Sequence, residues 1–161
     1  LVEKDVALGL PELLALSAPV FGNKITGGAD ALIDFIDDRL SGSLREQGFS
    51  AQEVDAVMAL RPARLGQVNL CLSAVRAFAA LPESPALAAA NKRIGNILKK
   101  TEEPVQATVD ATLLKEPAEQ QLASAVQAVQ PQADQQFEAG EYTASLQALA
   151  ALRAPAAMVG L

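Results

Sequence analysis

An all-α fold, a bundle of amphipathic helices, is predicted by three observations. Apolar residues recur at the three- and four-residue spacing of a helix along most of the chain. Half of the residues are hydrophobic but only 4% are aromatic, and many of the hydrophobic ones are alanine. That favours helices packed closely through small side chains and leaves little material for a β-sandwich. Helix start and stop signals also punctuate the pattern. At 161 residues the chain is long enough for one compact domain with a real core.

The elements follow in order. Leu1 to Lys4 reads as the tail of an earlier element. With no initiator methionine at Leu1, the chain is read as a piece of a longer polypeptide. Pro11 to Ala18 is a short helix with Leu13, Leu14 and Leu16 apolar. Pro19 to Gly28 is a loop whose turn formers are Gly22, Asn23, Gly27 and Gly28. The first long helix spans about Ala29 to Gln47. Its inner stripe is Leu32, Phe35, Ile36, Leu40 and Leu44, and its outer face carries Asp34, Asp37, Asp38, Arg39, Arg45 and Glu46. Gly48 stops it. Ser50-Ala51-Gln52-Glu53 is a capping box that opens a short helix to about Leu60, burying Val54, Val57 and Met58. Arg61-Pro62 breaks that helix. The next, about Ala63 to Ala80, aligns Leu65, Val68, Leu72, Val75 and Phe78, with Cys71 beside the stripe as a small core residue.

Leu81-Pro82 then turns the chain into a helix from about Pro85 to Lys100. Ser84 can cap it, and Pro85 suits its first position. Lys92, Arg93, Asn96, Lys99 and Lys100 fall within about a third of its circumference. Leu87, Ala90, Ile94, Ile97 and Leu98 fall opposite. One side is expected to be buried and the other to be cationic and exposed. Thr101 to Asp110 is a connector interrupted by Pro104. A helix from about Pro117 presents Leu122, Val126 and Val129, and Pro131 kinks or splits it. Gly140 is a stop. A last helix, about Glu141 to Leu152, stacks Tyr142, Leu146 and Leu149, and Pro155 ends it. Ala156 to Leu161 shows no clear partner.

Net charge is −6, but it is unevenly spread. From Ala56 to Thr101 the chain carries +6, from Arg61, Arg64, Arg76, Lys92, Arg93, Lys99 and Lys100 against Glu83 alone. The remainder carries −12. A positive centre between negative flanks can bind a polyanion locally, or dock on an acidic protein surface. A solvated helix whose terminal lysines match the helix dipole is the plainer alternative. For a nucleic acid, Lys and Arg supply phosphate contacts and an amide such as Asn96 can read a base edge. Aromatic support is thin. Phe35 and Phe78 read as core. Phe49 is the best candidate for an exposed ring, although a hydrophobic staple onto the following helix accounts for it as well.

Other chemistries drop out. There is no histidine and one cysteine, so histidine-based catalytic pairs and Cys/His zinc sites are excluded within this chain. Asp37 and Asp38 point about 100° apart on a helix and read as a solvated face. Gly27-Gly28 is too short for a phosphate-binding loop. No catalytic residue and no metal site is expected here. No apolar run reaches membrane-spanning length, and no signal-peptide pattern is present. The lone Cys71 suits a reducing, cytosolic setting.

The stretches Asp30 to Leu60 (DALIDFIDDRLSGSLREQGFSAQEVDAVMAL), Ala74 to Leu81 (AVRAFAAL) and Ala86 to Lys100 (ALAAANKRIGNILKK) resemble one family. It is the C-terminal part of the β subunit of bacterial glycyl-tRNA synthetase. Glu116-Pro117-Ala118-Glu119 and Tyr142 to Pro155 (YTASLQALAALRAP) continue the resemblance in order, and Lys24-Ile25-Thr26 fits it too. FIDDRL and ANKRIGNILKK are its specific phrases.

The resemblance implies a helical module like the anticodon-binding domains of arginyl-type class I synthetases. On that reading Lys92, Arg93, Asn96, Lys99 and Lys100, with Arg61 and Arg64 from the same positive centre, are expected to face tRNA(Gly), an assignment that rests on the charge distribution and not on a family motif. The resemblance also implies a cytoplasmic α2β2 tetramer in which the α subunit carries aminoacylation, using ATP, Mg²⁺ and glycine. Residues 1–28 are then a lead-in helix and loop, 29–155 the tRNA-binding domain and 156–161 a tail. Ala156 to Leu161 do not match the family's further helices, so part of that surface is expected to be missing or altered. The alternative is a structural module that docks other β-subunit domains or the α subunit without touching tRNA.

Overall fold

The computed structural model describes residue 6 and residues 8–24, 28–62, 64–101, 105 and 108–160. Expectations for Leu1–Lys4, Ile25-Thr26, Gly27, Ala63, Pro104 and Leu161 lie outside these residues. Every regular element among the described residues is helical: α1 (Leu10–Ser17), α2 (Ala29–Glu46), α3 (Ala51–Met58), α4 (Val68–Ala79), α5 (Ser84–Lys100), α6 (Pro117–Glu138), α7 (Tyr142–Leu149) and α8 (Arg153–Met158), with short 3-10 turns between some of them. The all-α expectation holds. The chain divides into two compact units, Leu1–Arg76 and Ala77–Leu161.

The first unit is organised by the α2–α3 junction. Gly48 adopts φ +92, the left-handed conformation that suits glycine past a helix end. The Gly48 amide donates to the Arg45 carbonyl at 3.0 Å and the Phe49 amide to that of Leu44 at 3.2 Å. This double bond pattern is a Schellman motif. Three residues on, the Glu53 amide donates to Ser50 Oγ (3.2 Å), and the Ser50 amide to Glu53 Oε2 (2.7 Å). The capping box is therefore formed as expected. Phe49 lies between the two motifs and packs on a core of Leu44, Val54, Val57, Val68 and Leu72. It serves as hydrophobic partner to the end of α2 and as staple to the start of α3. Cys71 is half-buried against the same core, and burial raises its thiol pKa, as suits a small core residue.

Arg76 ties α4 to this junction. Its Nε and Nη2 donate to the two Glu53 carboxylate oxygens at 2.7 and 3.1 Å, and its guanidinium lies 4.5 Å from the centre of the Phe49 ring. Chiefly through the Arg76 bonds, and also through the Ser50 amide, the Glu53 carboxyl is held down at about 2 against an ordinary 4.5. A pKa lowered by folding adds stability above the unfolded value, and that stability is lost as pH falls toward the folded one. Between pH 4.5 and about 2, wild-type urea midpoints should fall more steeply than those of Glu53→Gln. Parallel profiles would show that the bridge does not couple to folding.

The core cluster takes its α2 residues from the second half of that helix. Leu40 and Leu44 face the cluster, but Leu32 is 44% and Phe35 55% exposed. Phe35 is thus corrected from core to surface, with the Arg39 guanidinium 5.3 Å from its ring centre. The reason is length: α2 runs eighteen residues against eight in α3, and the core cluster draws nothing from α2 before Leu40. Asp38 is exposed as expected. Asp37 is half-buried, and desolvation raises its pKa. The helix expected from Ala63 starts at Val68, after a 3-10 turn at Leu65–Gln67.

The second unit packs through small side chains. Ala90, Ala133, Ser145 and Ala156 are buried, whereas the largest fully buried side chains all belong to the first unit. The Ser145 hydroxyl donates to the buried Ala133 carbonyl at 2.8 Å, joining α7 to α6. Phe137 and Tyr142 meet edge to face, 5.1 Å between centroids. Pro131 lies inside a continuous α6, on its exposed side, where water can satisfy the Gln127 carbonyl that a proline leaves without a donor. Pro155 does not end a helix. It lies in the first turn of α8, where an amide hydrogen has no partner to lose. Ala156 is buried, and α8 packs on α5 and α6.

Candidate nucleic-acid interface

Helix α5 begins at Ser84, so Ser84 is its first residue and not its cap. Glu83 holds the cap position without a side-chain bond, and Ser84 is itself buried. Pro85 is second in the helix, still within the turn that needs no amide donor. The helix ends at Lys100, and Lys99 and Lys100 stand by its negative pole.

The cationic face is where the spacing places it. Lys92, Asn96, Lys99 and Lys100 are all exposed, and their side chains have no hydrogen-bond or acidic partner among the described residues. Arg93 is exposed but committed: it donates to the Gly160 carbonyl just past α8. That bond joins α5 to the end of a helix whose closing carbonyls attract a cation.

The opposite face departs from expectation. Ala90 is buried and Leu87 half-buried, but Ile94, Ile97 and Leu98 are 39%, 53% and 49% exposed. The apolar face is buried only over the first half of the helix. The 3-10 turn at Ala150–Leu152 and α8 pack on α5, and the three large apolar side chains of its last two turns stay about half exposed.

Arg61 and Arg64 belong to the first unit and the α5 residues to the second. Arg61 is exposed and paired with Asp34 at 3.0 Å. Its φ of +45 is uncommon outside glycine and marks where Arg61-Pro62 breaks α3. Arg64 is half-buried. Arg45 and Arg76 are bound to Asp55 and Glu53. Phe49 is enclosed by the core and Arg76, so the staple accounts for it. Phe78 is half-buried beside Leu87 and Ala88. Among the described residues no single helix is long and apolar enough to cross a membrane.

No protein-family model matches the chain. Individual relatives do, and their class is the aminoacyl-tRNA synthetases. The chain is 65% identical over 155 residues to the glycine–tRNA ligase β subunit of Delftia acidovorans. It is 66% identical to that of Leptothrix cholodnii and 64% to that of Polaromonas naphthalenivorans, over the same length. Each match takes in 96% of this chain and 22% of the relative, so the chain spans about a fifth of the length of these curated relatives. It is homologous to a segment of the glycine–tRNA ligase β subunit.

Proposed function

We propose that this segment gives the β subunit part of its tRNA(Gly)-binding surface, with α5 at the centre. Lys92, Lys99 and Lys100 contact phosphates and Asn96 lies among them within reach of base edges. The helical module works in the manner of an arginyl-type anticodon-binding domain. The α subunit of a cytoplasmic α2β2 tetramer performs the charging of tRNA with glycine, using ATP and Mg²⁺. One observation carries the reading. The α5 lysines are exposed with no acidic partner among the described residues, whereas Arg45, Arg61 and Arg76 are each matched to a carboxylate. Cations left unmatched beside one another are what a polyphosphate chain needs. Backbone footprinting of tRNA(Gly) on the intact β subunit tests it. Replacing Lys92, Lys99 and Lys100 by alanine should erase one contiguous block of protection, and an unchanged footprint would refute the surface.

A second reading has its own observation, the exposure of Ile94, Ile97 and Leu98. On it, α5 docks another β-subunit domain or the α subunit through this apolar side. Ile97→Lys would then release the partner in co-purification and leave tRNA binding alone.

A further inference from the structure

We propose that a cleft beside α5 receives one unstacked base of the bound RNA. The proposal rests on the tRNA-binding reading above. The cleft has a volume of about 450 Å³ and is lined by Phe78, Leu87, Ala88, Asn91, Leu149 and Leu152. Sites for small ligands occupy about 300–1,000 Å³. The lining is aliphatic and aromatic apart from one amide, Asn91, which is exposed and whose side chain makes no hydrogen bond among the described residues. A base has the matching chemistry. Its faces are flat and apolar enough to pack on leucine and phenylalanine, and its edge offers the adjacent donor and acceptor that an amide pairs with.

Charge selects RNA over another apolar guest. Ala88 lies four residues before Lys92, and Asn91 eight before Lys99, so the α5 wall of the cleft adjoins the cationic strip at helical spacing. An RNA backbone held on Lys92 and Lys99 therefore runs along the mouth of the cleft. No acid lines it. The larger cavity of the same unit, about 620 Å³, is lined by Val109, Leu122 and Val126 and also by an acid, Glu119, and takes no residue from α5. It lacks the field that would draw a phosphate to its edge.

The test uses the intact β subunit and a tRNA(Gly) transcript. Ala88→Trp fills the cleft, and Asn91→Leu removes its amide at similar size. Both positions are exposed, so both variants should fold, as circular dichroism will check. Each should weaken binding about 5- to 100-fold at fixed salt and leave the salt dependence unchanged, since no phosphate contact is lost. Base-specific chemical probing should lose protection at one unpaired nucleotide while backbone protections persist. Wild-type affinity and base protection in both variants would overturn the proposal. A lowered thermal midpoint with tRNA binding intact would also overturn it, by showing a protein segment in the cleft. Failure of the underlying reading looks different: the triple lysine variant then keeps wild-type affinity, and this proposal falls with it.

Discussion

Leu72→Ala is expected to destabilise the chain by about 2–5 kcal/mol, while Leu70→Ala, two residues away on the same helix, changes stability by about 0.5 kcal/mol or less. Leu72 is fully buried among Leu44, Val54, Val57 and Val68, whereas Leu70 is 56% exposed. Truncating Leu72 removes buried methyl groups and leaves a hole at the meeting point of three helices, which relax only partly into it. Truncating Leu70 exposes little and costs no helix propensity. In melting temperature the contrast is about 4–20 °C against almost nothing. Urea unfolding followed by circular dichroism measures it. Equal losses in the two variants would mean that α4 turns a different face to α2 and α3.

What the sequence made legible was mostly local. Gly48, Phe49, Ser50 and Glu53 announce the α2–α3 junction within six residues, because a left-handed glycine and a capping box are decided by near neighbours. The stripe of α4 was readable for the same reason. Periodicity says which side of a helix is apolar, but not how much of its length finds a partner. Leu32 and Phe35 at the start of α2, and Ile97 and Leu98 at the end of α5, lie on apolar faces that extend beyond the helices packed on them.

Charge followed the same division. The composition of residues 56–101 marks a positive centre, but not which of its cations are already matched. Arg76 finds Glu53 across twenty-three positions, Arg61 finds Asp34 across twenty-seven, and Arg93 reaches the Gly160 carbonyl across sixty-seven. Those partners depend on how the chain returns on itself, which no local pattern records. The candidate surface therefore narrows from seven residues to Lys92, Asn96, Lys99 and Lys100. Arg93 becomes a tie between α5 and α8.

This narrowing decides which cations to remove in a binding experiment. Changing Arg93 would loosen α8 as well as delete a charge, so the informative variant replaces Lys92, Lys99 and Lys100 by alanine and keeps Arg93. All three are exposed, and alanine preserves helix propensity, so a change in binding reports lost contacts and not lost structure. Each phosphate contact contributes roughly 0.7–0.9 to the slope of log affinity against log salt. Three contacts amount to a slope difference of about 2–3. Between 50 and 200 mM salt the wild-type β subunit should accordingly lose on the order of 20- to 40-fold more affinity for tRNA(Gly) than the variant does. Asn96→Ala should leave the slope untouched, because an amide displaces no counterion. Filter binding across a salt series reads both. Identical slopes for wild type and the lysine variant would remove α5 from the phosphate backbone and favour the apolar side of the same helix as its working surface.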